Sequence, residues 1–339
     1  MAWKPLRKIS AMPFRFYIYH KRGNNFMSKI TVIGTGSVGS TVAYTLTVSG
    51  IASEIVMIDI NSEKAMGEAL DIRQGVPFFT PCKVLAGSYY DAVGSDIVVI
   101  TSGVARKPGQ SRLELAQTNV NILKSVAENI VKYAPDAVYV LVSNPVDVLT
   151  YAFAKFSGIP EERIIGSGTC LDSARLATRI SEYYQINQQD VQAYVLGEHG
   201  DSSFIPWSLA RIAGIPVEMY PNAVLSGGNF PEFKKDEVEE YVRKSGARVI
   251  GRKGATFYAV SMSVAHLCRS ILKGIDTTLT ISSVMHGEYG ISDVALSILH
   301  LVGRNGIKSK LLLPLTEEEE EKLRHSADCL KEVIGKLDI

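Results

Sequence analysis

The 339-residue chain predicts a doubly wound α/β fold, a parallel sheet with helices on both faces, followed by an α+β half. Three observations carry this expectation. Short β-branched runs at residues 30–33, 55–58, 96–101 and 137–142 alternate with longer amphipathic stretches such as 38–49 and 113–133. Each run is nearly all apolar, as a strand buried on both faces must be. A glycine-rich segment, Gly34-Thr35-Gly36-Ser37-Val38-Gly39, sits between the first run and the first amphipathic stretch.

Ahead of the first run, residues 1–26 carry Lys4, Arg7, Lys8, Arg15, Lys21 and Arg22 and no acid, and Met27-Ser28-Lys29 then opens the first strand. Two readings fit this basic extension. Organelle presequences are basic and acid-poor, and a start placed upstream of Met27 has the same look. The scarcity of serine and the lack of helical period in residues 14–19 favour the second, and either reading expects a disordered tail. Residues 27–165 form the first domain, with a boundary near residue 165 after Pro160-Glu161-Glu162-Arg163. Residues 166–339 mix helices and strands, with a turn at Gly227-Gly228-Asn229. The last helix is announced by Thr316 as N-cap with Glu319 three residues on, and the acidic run 317–321 is its solvated first turn.

Composition excludes several classes. Apolar residues make up 46% and charged residues 21%, with a formal net charge of +1, so nothing draws the whole chain to nucleic acid. No apolar run approaches the roughly 18 to 20 residues of a membrane span. Cys82, Cys170, Cys268 and Cys329 are scattered without metal-ligand or C-x-x-C spacing, which reads as reduced thiols in the cytoplasm and no metal site.

The glycine segment has strand before it and helix after it, the context that a dinucleotide site of the Rossmann type needs. Gly34 allows the tight turn, Gly36 the approach of backbone to a pyrophosphate, and Gly39 close packing of the helix. The helix N-terminus around Ser37 and Val38 meets the phosphate charge. Asp59 ends the second run 20 residues after Gly39. A carboxylate there accepts hydrogen bonds from ribose hydroxyls and repels a 2′-phosphate. No cation follows until Lys64, so the expected cofactor is NAD rather than NADP. Ser143-Asn144-Pro145, after the fourth run, brings backbone and amide groups to the nicotinamide end.

The most informative stretch is Leu196-Gly197-Glu198-His199-Gly200-Asp201, after the apolar run 191–196. A histidine in a glycine-rich loop is commonly plain turn chemistry. Here it has company, because Asp172 and Arg175 lie three apart on one face of a helical stretch. A histidine near neutrality, oriented by a carboxylate, is the machinery of proton transfer.

Together these motifs resemble the lactate and malate dehydrogenase family from about Lys29 to the C-terminus. The residues that carry the likeness are the glycine segment, Ser143-Asn144-Pro145-Val146-Asp147, Gly166-Ser167-Gly168-Thr169 leading to Leu171-Asp172-Ser173-Ala174-Arg175, and Gly197-Glu198-His199-Gly200-Asp201. The resemblance implies an NAD-dependent enzyme that moves a hydride to and from a small 2-oxo or 2-hydroxy acid, and a homo-oligomer of tetramer type. It makes His199 the proton donor, Asp172 its orienting carboxylate, and Arg175 the bidentate partner of the substrate carboxylate. Arg112, in the loop Lys107-Pro108-Gly109-Gln110-Ser111-Arg112, polarises the reacting carbonyl as that loop closes. Asn144 and Thr256 face the substrate. Tyr89, Lys64, Gly103, Val104, Ser143 and Ser167 join Gly34, Gly36, Ser37, Val38, Gly39 and Asp59 around the cofactor.

Within the family the residues point two ways. Arg106 stands where malate enzymes carry arginine, to pair with a second carboxylate. A charge-assisted contact of ~1.5 to 3 kcal/mol is worth roughly 10- to 150-fold in preference. Glu198, Thr256, Gly67-Glu68-Ala69-Leu70-Asp71, Gly75-Val76-Pro77-Phe78 and Arg304-Asn305-Gly306-Ile307 resemble the lactate group. The balance favours pyruvate and lactate, with malate and oxaloacetate as the alternative. The positions that bind fructose bisphosphate in activated bacterial members match Ala177 and Gln192, which offer no cation, so weak or absent activation is expected.

Overall fold

The computed structural model describes residues 28–105, 109, 111–225 and 230–339. The basic segment 1–26, Arg106, Lys107, Pro108 and Gln110 of the substrate loop, and Gly227-Gly228-Asn229 lie outside the described residues.

The expected alternation is what forms. Strands β1 (Lys29–Ile33), β2 (Glu54–Ile58), β3 (Lys83–Ala86), β4 (Ile97–Ile100), β5 (Val138–Leu141) and β6 (Ile164–Gly166) interleave with helices α1 (Ser37–Val48), α2 (Ser62–Gly75), α3 (Arg112–Ile130) and α4 (Val146–Phe156). All pairings among these strands are parallel, in the order β6-β5-β4-β1-β2-β3. The chain reverses direction of travel across the sheet between β1 and β4, and ligands of such sheets bind at the carboxyl ends beside that switch.

The strand pleat explains the double cover. Ile97 and Val99 of β4 pack with Val42 and Leu46 of α1 on one face, whereas Val98 and Ile100 pack with Val120, Leu123 and Phe153 on the other. Helix α8 (Tyr258–Lys273) shares the first face with α1, and α3 and α4 cover the second.

The second half begins with α5 (Cys170–Tyr184). The apolar run 191–196 is less regular than its composition suggests. Only Val191–Gln192 forms a strand, β7, which pairs with β8 (Arg211–Ile212) and through it with β9 (Ile215–Pro216). Leu196 makes a single bridge to Phe204. The short helix α6 (Tyr220–Ala223) and α7 (Lys235–Lys253) follow, and α5 and α7 enclose a separate apolar cluster around Leu176, Ile180, Tyr184 and Val242.

The remaining strands do not build a sheet of their own. Strands β10 (Thr277–His286), β11 (Ser292–Gly303) and β12 (Gly306–Leu311) are antiparallel, and Ser282 of β10 pairs with Gly166 of β6. Among the described residues nine strands therefore share one sheet, with residue 165 inside β6. Helix α9 (Glu317–Ile334) closes the fold, and the Thr316–Glu319 capping box forms as the sequence suggests.

Phe153 is fully buried and packs on the Tyr139 ring at 5.1 Å between centroids. Phe153→Ala is expected to cost about 3 to 5 kcal/mol of folding free energy, read from the denaturant midpoint. A loss below about 1 kcal/mol would mean that this face of the sheet is not the packed core described.

Candidate active site

The cofactor cradle starts where β1 ends. Gly34 has φ +94°, and a Cβ there would lie 2.7 Å from the Ser102 nitrogen, so the turn against the β4 end needs glycine. A Cβ on Gly39 would stand 1.8 Å from the Gly34 carbonyl oxygen, so α1 can press onto the turn only without a side chain. Gly36 differs, because a Cβ there would meet nothing within 4 Å. It borders open space at the start of α1, whose first turn has neither a side-chain cap nor an acid. Ser37 and Val38 thus present free helix N–H groups and the positive end of the dipole, a ready anion site.

Asp59 follows β2 at the same edge. Its Oδ2 accepts from the Thr35 N–H (2.6 Å) and hydroxyl (3.1 Å), and its Oδ1 from the Asn61 N–H (2.9 Å). Burial works against ionisation, but these donors and the Lys64 charge outweigh it and hold the carboxyl below its ordinary range. Tyr89 lies close enough for the Asp59 charge to add to burial in pushing its phenol up.

Across the switch, the loops after β4 and β5 are tied together. Asn119 of α3 accepts from the Val104 N–H at 2.9 Å and donates to the Asn144 carbonyl at 2.7 Å. Ser143 donates to the Ser102 carbonyl at 2.6 Å, and a Cβ on Gly103 would crowd Asn119 at 3.2 Å. The Ser167 N–H bonds the Leu141 carbonyl, placing the β6 end beside them. An uncapped helix start, an open glycine and an ionised acid at the neighbouring strand fit a dinucleotide with free ribose hydroxyls.

The chemistry-bearing side chains converge at α5. Asp172, in its first turn, is buried, and its Oδ2 lies 2.6 Å from His199 Nδ1. Its Oδ1 accepts from Arg175 Nη1 at 2.7 Å. An ionised carboxylate only accepts, so the Nδ1 proton stays on the ring and Nε2 is the site that exchanges protons. Nε2 has no hydrogen-bond partner among the described residues, and a quarter of the side chain is exposed. Burial opposes ionisation of Asp172, but the His199 charge and then Arg175 overcome it and hold the carboxyl below its usual value. For His199, burial opposes protonation, while Asp172 and more weakly Asp147 favour it against Arg175, and the imidazole ends above its ordinary value.

The loop that carries His199 is pinned by groups that sequence reasoning had not singled out. The Gly197 N–H and carbonyl both pair with Ser297 of β11, and the Glu198 N–H donates to Ser326 Oγ of α9 at 2.8 Å. The His199 N–H donates to Asp147 Oδ2 at 2.7 Å. Asp147 had a signal, an acid just past Asn144-Pro145 in an otherwise apolar stretch; Ser297 and Ser326 had none.

Other expected residues stand apart. Arg112 begins α3 and pairs with Asp201, two residues past His199, at 2.8 Å, with both side chains largely exposed. It does not touch the Asp172–His199 pair. Thr256 is half-buried in the connection between α7 and α8, and no hydrogen bond links it to that pair. Among the described residues no three His, Cys, Asp or Glu side chains gather to hold a metal.

Comparison with known proteins agrees with this layout. Residues 28–166 match the model of the lactate/malate dehydrogenase NAD-binding domain, and residues 169–338 that of the lactate/malate dehydrogenase α/β C-terminal domain. An L-lactate dehydrogenase of Thermoanaerobacter sp. (strain X514) is 46% identical over 313 residues, 92% of this chain and 100% of the relative. That of Acetivibrio thermocellus is 44% identical over 316 residues, 93% and 99% of the two chains. Among solved structures, a minor L-lactate dehydrogenase from Enterococcus mundtii superposes with a TM-score of 0.87 at 34% identity, covering 92% of this chain and 99% of that one.

The two glycines give a paired test. Gly36→Ala has room and an ordinary φ of −69°, so stability should stay within about 1 kcal/mol while NADH affinity falls at least tenfold. Gly39→Ala meets backbone and should lower the unfolding temperature as well as binding. Calorimetry and NADH fluorescence titration check both; undiminished binding in Gly36→Ala would place the pyrophosphate elsewhere.

Proposed function

The chain belongs to the lactate/malate dehydrogenase family, and on that premise we propose that it interconverts pyruvate and L-lactate. It is an NAD-dependent oxidoreductase acting on a hydroxy acid. The observation that carries the reading is the 2.6 Å contact between Asp172 and His199, with Arg175 on the same carboxylate. The naming of the curated relatives as L-lactate dehydrogenases supports lactate over malate.

In this reading Arg175 holds the substrate carboxylate with the guanidinium edge that Asp172 does not use, and Asn144 and Thr256 line the rest of the substrate. His199 gives its Nε2 proton to the ketone oxygen during pyruvate reduction and takes it back during lactate oxidation. Asp172 keeps the ring in the productive tautomer and stabilises its cation. Bound NADH supplies the hydride. Arg112 leaves Asp201 to polarise the ketone as its loop closes, and an exposed ion pair worth about 0 to 1 kcal/mol is a small barrier to that move. Arg106 lies outside the described residues, and its charge is the feature that favours oxaloacetate.

We further assign the chain to the cytoplasm, as a homo-oligomer of tetramer type. Unpaired Cys82, Cys170, Cys268 and Cys329 suit a reducing compartment, and no helix among the described residues is long and apolar enough to cross a membrane. Tyr44, Met66, Leu70, Tyr258 and Met262 are exposed on α1, α2 and α8, which pack side by side, and apolar surface of that kind marks an interface.

Purified enzyme is expected to oxidise NADH with pyruvate at a kcat/KM more than about tenfold above that for oxaloacetate. The reverse order would make Arg106 decisive and the enzyme a malate dehydrogenase. His199→Ala should lower turnover by about 10²- to 10⁴-fold with NADH affinity intact, and turnover within a few-fold of the parent would remove His199 from the mechanism. Because the folded pKa of His199 is raised, pyruvate reduction should hold through the ordinary imidazole value near 6.5 and decline only above it, with lactate oxidation rising over the same interval.

A further inference from the structure

Asp147 is a buried charge that the reaction as described leaves without a task. It is 1% exposed, in the first turn of α4. Its Oδ2 accepts the His199 backbone N–H at 2.7 Å, while Oδ1 completes no hydrogen bond. The Ser282 hydroxyl of β10 is also buried without a completed bond, yet lies close enough to favour the ionised carboxylate. Burial pushes the Asp147 carboxyl up to about 6, against Ser282, the His199 amide and the His199 charge, with Glu198 adding repulsion.

A neutral Asn or Ser also accepts a backbone N–H, by a weaker bond but without the cost of burying charge. The α4 dipole eases that cost, but any first-turn acid would gain as much. What distinguishes Asp147 is its neighbour. Burial opposes the His199 cation, and of the charges that face it Asp172 at Nδ1 and Asp147 through the main chain favour it while Arg175 opposes it.

We propose that Asp147 is a positioning residue that fixes the main chain at His199 and supplies a second negative charge favouring the protonated imidazole. The inference rests on His199 being the proton donor. The two carboxylates then divide the work. Asp172 sets the tautomer through a direct bond to the ring, whereas Asp147 sets the height of the loop and biases the charge from behind. A proton on Asp147 removes the charge that favours the His199 cation, so each protonation disfavours the other.

Asp147→Asn keeps an oxygen for the His199 N–H and removes only the charge. The pH at which kcat/KM for pyruvate reduction falls on the alkaline side should move down by roughly half to one unit, with KM for NADH unchanged. A profile that superimposes on the parent overturns the proposal, since a purely structural role moves stability and not that limb. Should the Asn variant fail to fold, Asp147→Ser, smaller and still an acceptor, carries the same reading. His199→Ala measured alongside separates the two failures. If it stays active, the proton-donor assignment falls; if it is inactive and the Asp147→Asn profile is unmoved, only the role of Asp147 falls.

Discussion

A carboxylate can be kept charged inside a protein only where donors or cations surround it, and Asp172 is the point at which this molecule meets that requirement. One oxygen takes His199 Nδ1 and the other takes Arg175 Nη1, so a single buried anion fixes both groups. The three residues come from two places in the chain, 27 residues apart, and Asp172 is the partner they share. Removing Asp172 strips both His199 and Arg175 of their shared partner, a loss on the order of 3 to 5 kcal/mol. Structure and chemistry therefore share the same contacts.

The contact is held in place by the sheet. Because β10 continues the parallel sheet from β6, β11 lies within reach of the segment that leads into His199. The Gly197–Ser297 pairing then fixes the backbone two residues before the histidine. Ser297 Oγ also receives the Thr169 N–H at 3.1 Å, just before α5, so one serine steadies both arms of the Asp172–His199 pair. The sheet runs across the boundary read near residue 165, because β6 pairs with β5 on one side and with Ser282 of β10 on the other.

What the sequence made legible, and what it did not, follows from the range of the interactions. The glycine turn, the position of Asp59 after β2 and the capping box of α9 are local, set within a few residues, and all were readable. So were β1, β2, β4 and β5, which are buried on both faces and lose the alternating pattern, whereas the short β3 and β6 were not. The continuation of β10 to β12 onto β6 was not, because that pairing joins residues 116 apart through one bridge. Ser297, Ser326 and Asn119 escaped for a related reason: small polar residues in strands and helices carry no periodic mark, and their partners lie far along the chain. Asp147 sat inside a quoted motif, but only the fold reveals that it faces His199.

Under the proposed function, Arg112 would have to exchange partners. In this structure it faces Asp201, with both side chains more than two-thirds exposed. Such a pair is screened and weak, because water solvates both charges nearly as well as they solvate each other. In the proposed reaction a ketone oxygen gaining negative charge offers the same guanidinium a contact from which water is excluded, where the attraction is stronger at equal distance. In the proposed reaction the exchange is favourable only where water is excluded, and only while charge is developing. Arg175 is the opposite case, already anchored to a buried carboxylate before any ligand arrives. In the proposed reaction one arginine thus supplies a fixed point of reference for the substrate, and the other a contact that grows as charge develops.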